Sequence, residues 1–176
     1  QSRILFVGRF DTIKGTHILF DTVAKLNAKH PHLSWTIVGG IPGNSKAEKR
    51  WRKQWDERAE PAWKVSFLGW LTPEELAPTY RQSDILVAPS LYETFGLSVL
   101  EAMGHGLAIC ASSAGGLNDL VEHGHSALCS SPGDTDQLCN NIEKLITNPK
   151  LRQTLAANAH AKATKHFHWK NLVDDL

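Results

Sequence analysis

Short apolar runs alternate with helical stretches along the whole chain, and this alternation constrains the fold more than any other feature. Ile4-Leu5-Phe6-Val7 is the first run and ends at Gly8. Trp35-Thr36-Ile37-Val38 follows and closes on Gly39-Gly40. Then come Val65-Ser66-Phe67-Leu68, Ile85-Leu86-Val87-Ala88, Leu107-Ala108-Ile109-Cys110 and Ala127-Leu128-Cys129. Most of these runs lack the polar alternation of a half-exposed strand, so they read as strands buried on both faces. Between them, Lys14 to Lys29 carries Ile18, Leu19, Val23 and Leu26 at helical spacing, and His30-Pro31 stops it. Lys46 to Arg58 reads as a charged helix. Thr72-Pro73-Glu74-Glu75 is a helix start with Thr72 as N-cap and Glu75 three residues on. Ser98 to His105, Thr135 to Thr147 and Pro149 to Lys165 complete the helices, with Asn148-Pro149 as punctuation between the last two. The pattern predicts an α/β fold with a doubly wound, mostly parallel six-stranded sheet and helices on both faces.

The chain has 176 residues, the size of one domain, and residues 1–176 are expected to form a single Rossmann-like unit. A net charge of +1 supplies no overall attraction to nucleic acid. No apolar run approaches the roughly 20 residues needed to span a bilayer. No basic segment followed by an apolar core opens the chain. Arg3 to Val7 already reads as a core strand, so a fragment of a longer protein is expected. Cys110, Cys129 and Cys139 are odd in number and widely spaced, which suits buried reduced thiols and a cytoplasmic location.

Ligands of such sheets sit at the carboxyl ends of the strands, so the loops that follow them matter most. The first, Gly8 to Gly15, places Arg9 just past a strand and Lys14 near a helix N-terminus. A helix N-terminus favours anions, and two cations beside it suit a diphosphate. The same residues also suit a plain strand–turn–helix corner with two solvated cations. The loop lacks the G-x-G-x-x-G fingerprint of nicotinamide cofactors. The fourth loop, Pro89 to Ala102, holds Glu93 and Glu101. With a helix starting near Leu97, both carboxylates are expected to face one cleft. Gly96 would let a ligand approach the backbone of Phe95, Gly96 and Leu97, whose N–H groups open the helix. A carboxylate accepts from paired hydroxyls such as those of a sugar. Leu97, Val99, Leu100 and Met103 read as core, so Glu101 is expected on a largely buried helix, in need of a partner. The fifth loop, Ala111 to Asp119, has paired glycines that let backbone pass close to a ligand or another domain, with Asp119 opening a helix.

At these residues the chain resembles the C-terminal domain of family 4 retaining glycosyltransferases, which have the GT-B fold. The matching motifs are V-G-R-x4-K-G from Val7, I-V-G-G from Ile37 and V-x-F-L-G from Val65. Tyr80 to Ser90, the E-x7-E element from Glu93 to Glu101, G-G-L-N-D-L-V from Gly115 and His166-Phe167-His168-Trp169 complete them. The resemblance implies that Arg9 and Lys14 hold the donor diphosphate and stabilise it as leaving group. It implies that Glu93, with the backbone at Phe95, Gly96 and Leu97, contacts the donor sugar and distal phosphate, and that Glu101 binds the ribose hydroxyls. Gly39, Gly40, Trp70 and Leu71 would lie near the base, and Gly8 and Thr94 complete the donor-binding set. The expected donor is a sugar linked to UDP, GDP or ADP, with no metal and no other cofactor. Asn118 and Asp119 stand where the family pattern has proline and glutamate. The family's N-terminal, acceptor-binding domain is absent from this chain. The fragment is therefore expected to bind donor without transferring it. The alternative is a stand-alone nucleotide-sugar-binding or scaffold module partnering another chain. Sugar-nucleotide epimerases share the double-Rossmann architecture, but E-x7-E with Arg9 and Lys14 argues against them.

Two further signals are weaker. Trp51 and Trp55 share a face of the basic Lys46–Arg58 helix. They read first as packing on the sheet edge, and second as a membrane-surface or acceptor-docking device at the cytoplasmic face. His123, His125, His166 and His168 read as surface turn residues and not as metal ligands.

Overall fold

The computed structural model describes residues 2–40 and 45–167. Strand β1 (Arg3–Val7) leads to helix α1 (Thr16–Lys29), then β2 (Ser34–Val38) and α2 (Ser45–Asp56). Next come β3 (Lys64–Gly69), α3 (Pro73–Arg81), β4 (Ile85–Ala88) and α4 (Leu97–Gly104). The chain continues through β5 (Ala108–Ser112), α5 (Leu117–Leu120) and β6 (Ala127–Ser130) to α6 (Thr135–Thr147) and α7 (Pro149–His166). The strands form one sheet in the order β3-β2-β1-β4-β5-β6. Every pairing in it is parallel. The expected doubly wound sheet is therefore present. Its order reverses between β1 and β4, which makes the carboxyl ends of those strands the switch point.

Successive side chains along a strand point to opposite faces, and this divides the core in two. Ile4 and Phe6, Trp35 and Ile37, and Ile85 and Val87 pack against α1, α6 and Trp55. Leu5, Leu86, Ile109 and Ala111 pack on the other side against Tyr80 of α3, Val99 and Met103 of α4, and Ala159 and Ala163 of α7. Helix starts follow the sequence chemistry. Thr72 Oγ1 accepts from the Glu75 N–H at 3.3 Å, and Glu75 Oε2 accepts from the Thr72 N–H at 2.9 Å. Asp134 and Asn148 cap α6 and α7 in the same manner.

The tryptophan pair of α2 faces inward. Trp55 is 5% exposed, and Phe20 packs against both Trp51 and Trp55. Arg52 lies 4.6 Å over the Phe67 ring. These contacts, with Trp55 against Phe67 of β3, are the sheet-edge packing of the first reading of that helix. Other expectations need correction. The fifth-loop helix opens at Leu117 and already contains Asp119. Leu97 is 66% exposed and is not core, although Val99 and Met103 are. His168 and Trp169 lie outside the described residues.

Arg3 joins the amino-terminal end of β1 to the residue preceding β4. Its guanidinium donates to Asp84 Oδ1 at 2.9 Å and Oδ2 at 3.2 Å, and its backbone N–H donates to Oδ2 at 2.8 Å. Burial by itself would raise the Asp84 pKa. The bonds and charge of Arg3 outweigh it and hold the carboxyl below its ordinary value. A carboxyl depressed in the folded state contributes stability above its unfolded pKa of about 4, and loses it as pH falls through the folded value. Denaturant unfolding between pH 6 and pH 2 is expected to show a steeper acid loss for the native chain than for Asp84→Asn. Asp84→Asn is expected to be less stable at pH 6.

Candidate functional site at the sheet switch point

Two loops meet above the ends of β1 and β4. Leu91 donates its backbone N–H to the Ile13 carbonyl at 2.7 Å. Gly15, with φ of 70°, packs so closely that an added Cβ would lie 2.0 Å from the Pro89 carbonyl oxygen. A third loop locks onto the second. The Gly116 N–H donates to the Glu93 carbonyl at 2.8 Å, and a Cβ on Gly115 would sit 2.3 Å from that same oxygen. The paired glycines therefore serve close approach to the Glu93–Thr94 backbone, not the approach of a ligand.

The loops enclose two adjoining cavities that share Val7, Gly8 and Arg9. The first, of about 350 Å³, is lined further by Val38, Gly39, Gly40, Trp70, Leu71 and Leu76. The second, of about 410 Å³, takes Lys14, Glu93, Thr94, Phe95, Gly96, Leu97, Ser98 and Glu101. All the site residues expected from sequence thus line one or both, and none lies elsewhere. Val7, Val38, Leu76 and Ser98 were missed. Val7, Val38 and Ser98 stand inside the quoted motifs and Leu76 outside them, and none carries a charge that would single it out.

Charge is distributed unevenly in this cleft. Lys14 and Glu93 form a hydrogen-bonded ion pair with side chains only 22% and 12% exposed. Lys14 is therefore not the free cation expected from the loop. Asp11 organises the same corner: its Oδ1 accepts from the Lys14 N–H at 2.7 Å, and its Oδ2 lies 3.3 Å from Arg9. Glu101 is exposed to the cleft and does not sit in a buried helix face. Its partner is the Tyr80 hydroxyl at 2.8 Å.

Helix α4 begins at this cavity with a bare N-terminus. Its N-cap is Gly96, left-handed at φ 89°, and no side chain caps it. Helices α3, α6 and α7, by contrast, are all capped by side chains. Free N–H groups and the helix dipole make such a start attractive to an anion. Gly96 also packs against α5, where a Cβ would come 2.5 Å from Leu117 Cδ2. The glycine is thus demanded by backbone conformation and packing as well as by the cavity. Among the described residues, no cluster of three or more His, Cys, Asp or Glu has the placement to hold a metal. The His123 Nδ1 instead accepts from the Cys129 N–H at 2.9 Å.

A doubly wound sheet with cations, an uncapped helix start and exposed carboxylate at its switch point defines a class of nucleotide-type ligand sites. Comparison with known proteins makes it specific. Residues 1–162 match the family described as Glycosyl transferases group 1, and the chain belongs to that family. It is 36% identical over 175 residues to D-inositol 3-phosphate glycosyltransferase of Stackebrandtia nassauensis, covering 97% of this chain and 39% of that protein. The structure resembles sucrose-phosphate synthase from Thermosynechococcus elongatus, with a TM-score of 0.89 and 30% identity over 99% of this chain and 43% of that one. It also resembles Anabaena Alr3699/HepE in complex with UDP-glucose, with a TM-score of 0.87 and 28% identity over 98% of this chain and 46% of that one. The chain therefore spans well under half the length of these relatives.

Gly96→Ala is expected to cost about 2 kcal/mol or more, combining left-handed strain with the Leu117 clash. Gly104→Ala, where an added Cβ meets nothing within 4 Å, is expected to be neutral or stabilising by up to about 1 kcal/mol. Urea denaturation of the two variants beside the unsubstituted protein checks both.

Proposed function

We propose that this chain is the donor-binding domain of a retaining glycosyltransferase that takes a hexosyl group from a nucleoside-diphosphate sugar. The acceptor would be a saccharide, lipid or small molecule. The observation that carries this reading is the convergence of Arg9, Lys14 and the bare α4 N-terminus on one cavity, with Glu101 on its wall. In transfer, the bond from the anomeric carbon to the distal phosphate oxygen breaks as an acceptor hydroxyl oxygen bonds to that carbon and its proton passes to the departing phosphate. Negative charge then builds on the departing diphosphate. Arg9 and Lys14 supply fixed positive charge there, which is the electrostatic role that otherwise falls to a metal. Glu93 contacts the sugar and distal phosphate together with the backbone at Phe95, Gly96 and Leu97. Glu101 takes the ribose hydroxyls. The adjoining cavity at Gly39, Gly40, Trp70 and Leu71 takes the base. The UDP-glucose bound by the Anabaena relative supports a donor of this class.

The acceptor side belongs to a further, N-terminal domain. Ile13, Leu91, Tyr92, Phe95 and Leu97 are large apolar residues exposed on the loops around the cavity. An apolar rim of this kind supports a domain closing over the site rather than a stand-alone binding module. On this reading the isolated chain binds donor and does not transfer it. The free, buried thiols of Cys110, Cys129 and Cys139 support a reducing, cytoplasmic setting. No described helix is long and apolar enough to cross a membrane.

Calorimetric titration with UDP, GDP and ADP, each alone and as a sugar conjugate, tests the reading. One diphosphate family is expected to bind. Lys14→Ala and Glu101→Ala are each expected to weaken it about tenfold or more, the scale of a lost charge-assisted hydrogen bond. Failure of every nucleotide to bind in the millimolar range, in both this chain and the full-length protein, would sink it.

A further inference from the structure

Glu101 is an exposed glutamate whose rotors must be ordered before its carboxylate can hold a pair of hydroxyls. Tyr80 supplies that order from a different helix. The phenol ring lies under the α4 helix, 2% exposed, and His105 stacks on it with centroids 5.2 Å apart and planes 14° apart. Its hydroxyl contacts the Ser98 carbonyl at 3.3 Å and donates to Glu101 Oε2 at 2.8 Å. We propose that Tyr80 is a positioning residue that holds the Glu101 carboxylate in the orientation that accepts the vicinal hydroxyls of the nucleotide ribose. The inference rests on the donor-site reading above.

The geometry suits the role in three ways. A ring clamped between the core and His105 has no other rotamer to adopt, so its hydroxyl is fixed relative to α4. Burial first, and the hydrogen bond to Glu101 second, push the phenol's pKa well above its ordinary value. The group therefore stays protonated and keeps donating across the working pH range. Tyr80 also uses only one carboxylate oxygen. An ionised carboxylate has about four acceptor positions, so capacity remains for two ligand hydroxyls. Tyr80 itself lines neither of the two cavities of the site, so its effect on a ligand passes through Glu101.

A double-mutant cycle with ribose-modified ligands tests this. The unsubstituted protein, Tyr80→Phe, Glu101→Ala and the combined variant are titrated with the nucleoside diphosphate that binds and with its 2′,3′-dideoxy analogue. Tyr80→Phe is expected to lose about tenfold in affinity for the ribonucleotide and less than about twofold for the dideoxy form. In the Glu101→Ala background, the same substitution is expected to change neither. An equal loss for both ligands, a loss that persists without Glu101, or no loss at all overturns the inference while leaving the donor site standing. Absence of binding by the unsubstituted protein, both as this chain and at full length, overturns the donor-site reading and this inference with it.

Discussion

The hydrogen bond from the Leu91 N–H to the Ile13 carbonyl joins two loops that leave the sheet in opposite directions. At a switch point the crossovers after β1 and β4 diverge, so nothing in the sheet itself holds their loops together. That bond, the packing of Gly15 on Pro89 and the Lys14–Glu93 pair do so instead. The third loop then braces the second through Gly116. The site consequently depends on backbone-to-backbone contacts at fixed separation. Such contacts tolerate no side chain, which is why glycines recur where the loops cross.

The Lys14–Glu93 pair has a second consequence. Two partly buried charges of opposite sign neutralise each other in the empty cleft, and neither is left without a partner, which would be costly. On the proposed donor reading, a diphosphate would compete with Glu93 for Lys14 and leave Glu93 for the sugar.

Much of this architecture was legible in the sequence, because unbroken apolar runs and helix-start chemistry are local signals. The parallel sheet and the Thr72 capping box followed from them, and the resemblance to a family supplied most of the residues that line the two cavities. What escaped depends on which way an element turns. Leu97 looks like core by composition, yet as the first residue of α4 it faces the cleft, 66% exposed. Glu101 looked buried because its neighbours Val99 and Met103 are. Two residues along a helix turn a side chain by about 200°, so Glu101 faces away from both. Tyr80 entered only as the first residue of the Tyr80 to Ser90 motif, since its partner is 21 residues away and meets it only when α3 and α4 pack on the same side of the sheet. The glycine pair at Gly115 was correctly read as a place of close approach, but the approaching group is this chain's own backbone.

The two halves of the cleft also explain why the motifs name a nucleotide site and not a particular nucleotide. The second cavity is lined by Lys14, Glu93 and Glu101, whose chemistry suits phosphate and hydroxyl groups that all nucleoside diphosphates share. The first is lined by Val7, Val38, Leu71, Leu76, Trp70 and three glycines. Apart from Arg9 at the shared boundary, no side chain there is ionisable. On the donor reading, discrimination between bases in such a pocket would fall to main-chain N–H and carbonyl groups, the Trp70 indole N–H and pocket width. Every residue type other than proline presents those same main-chain groups. Their direction is set by the turn at Gly39-Gly40 and by the Gly39 N–H bond to the Gly69 carbonyl at 2.9 Å. If this cavity takes the base, as proposed, base choice would rest largely on the backbone path, which a motif of side chains does not spell.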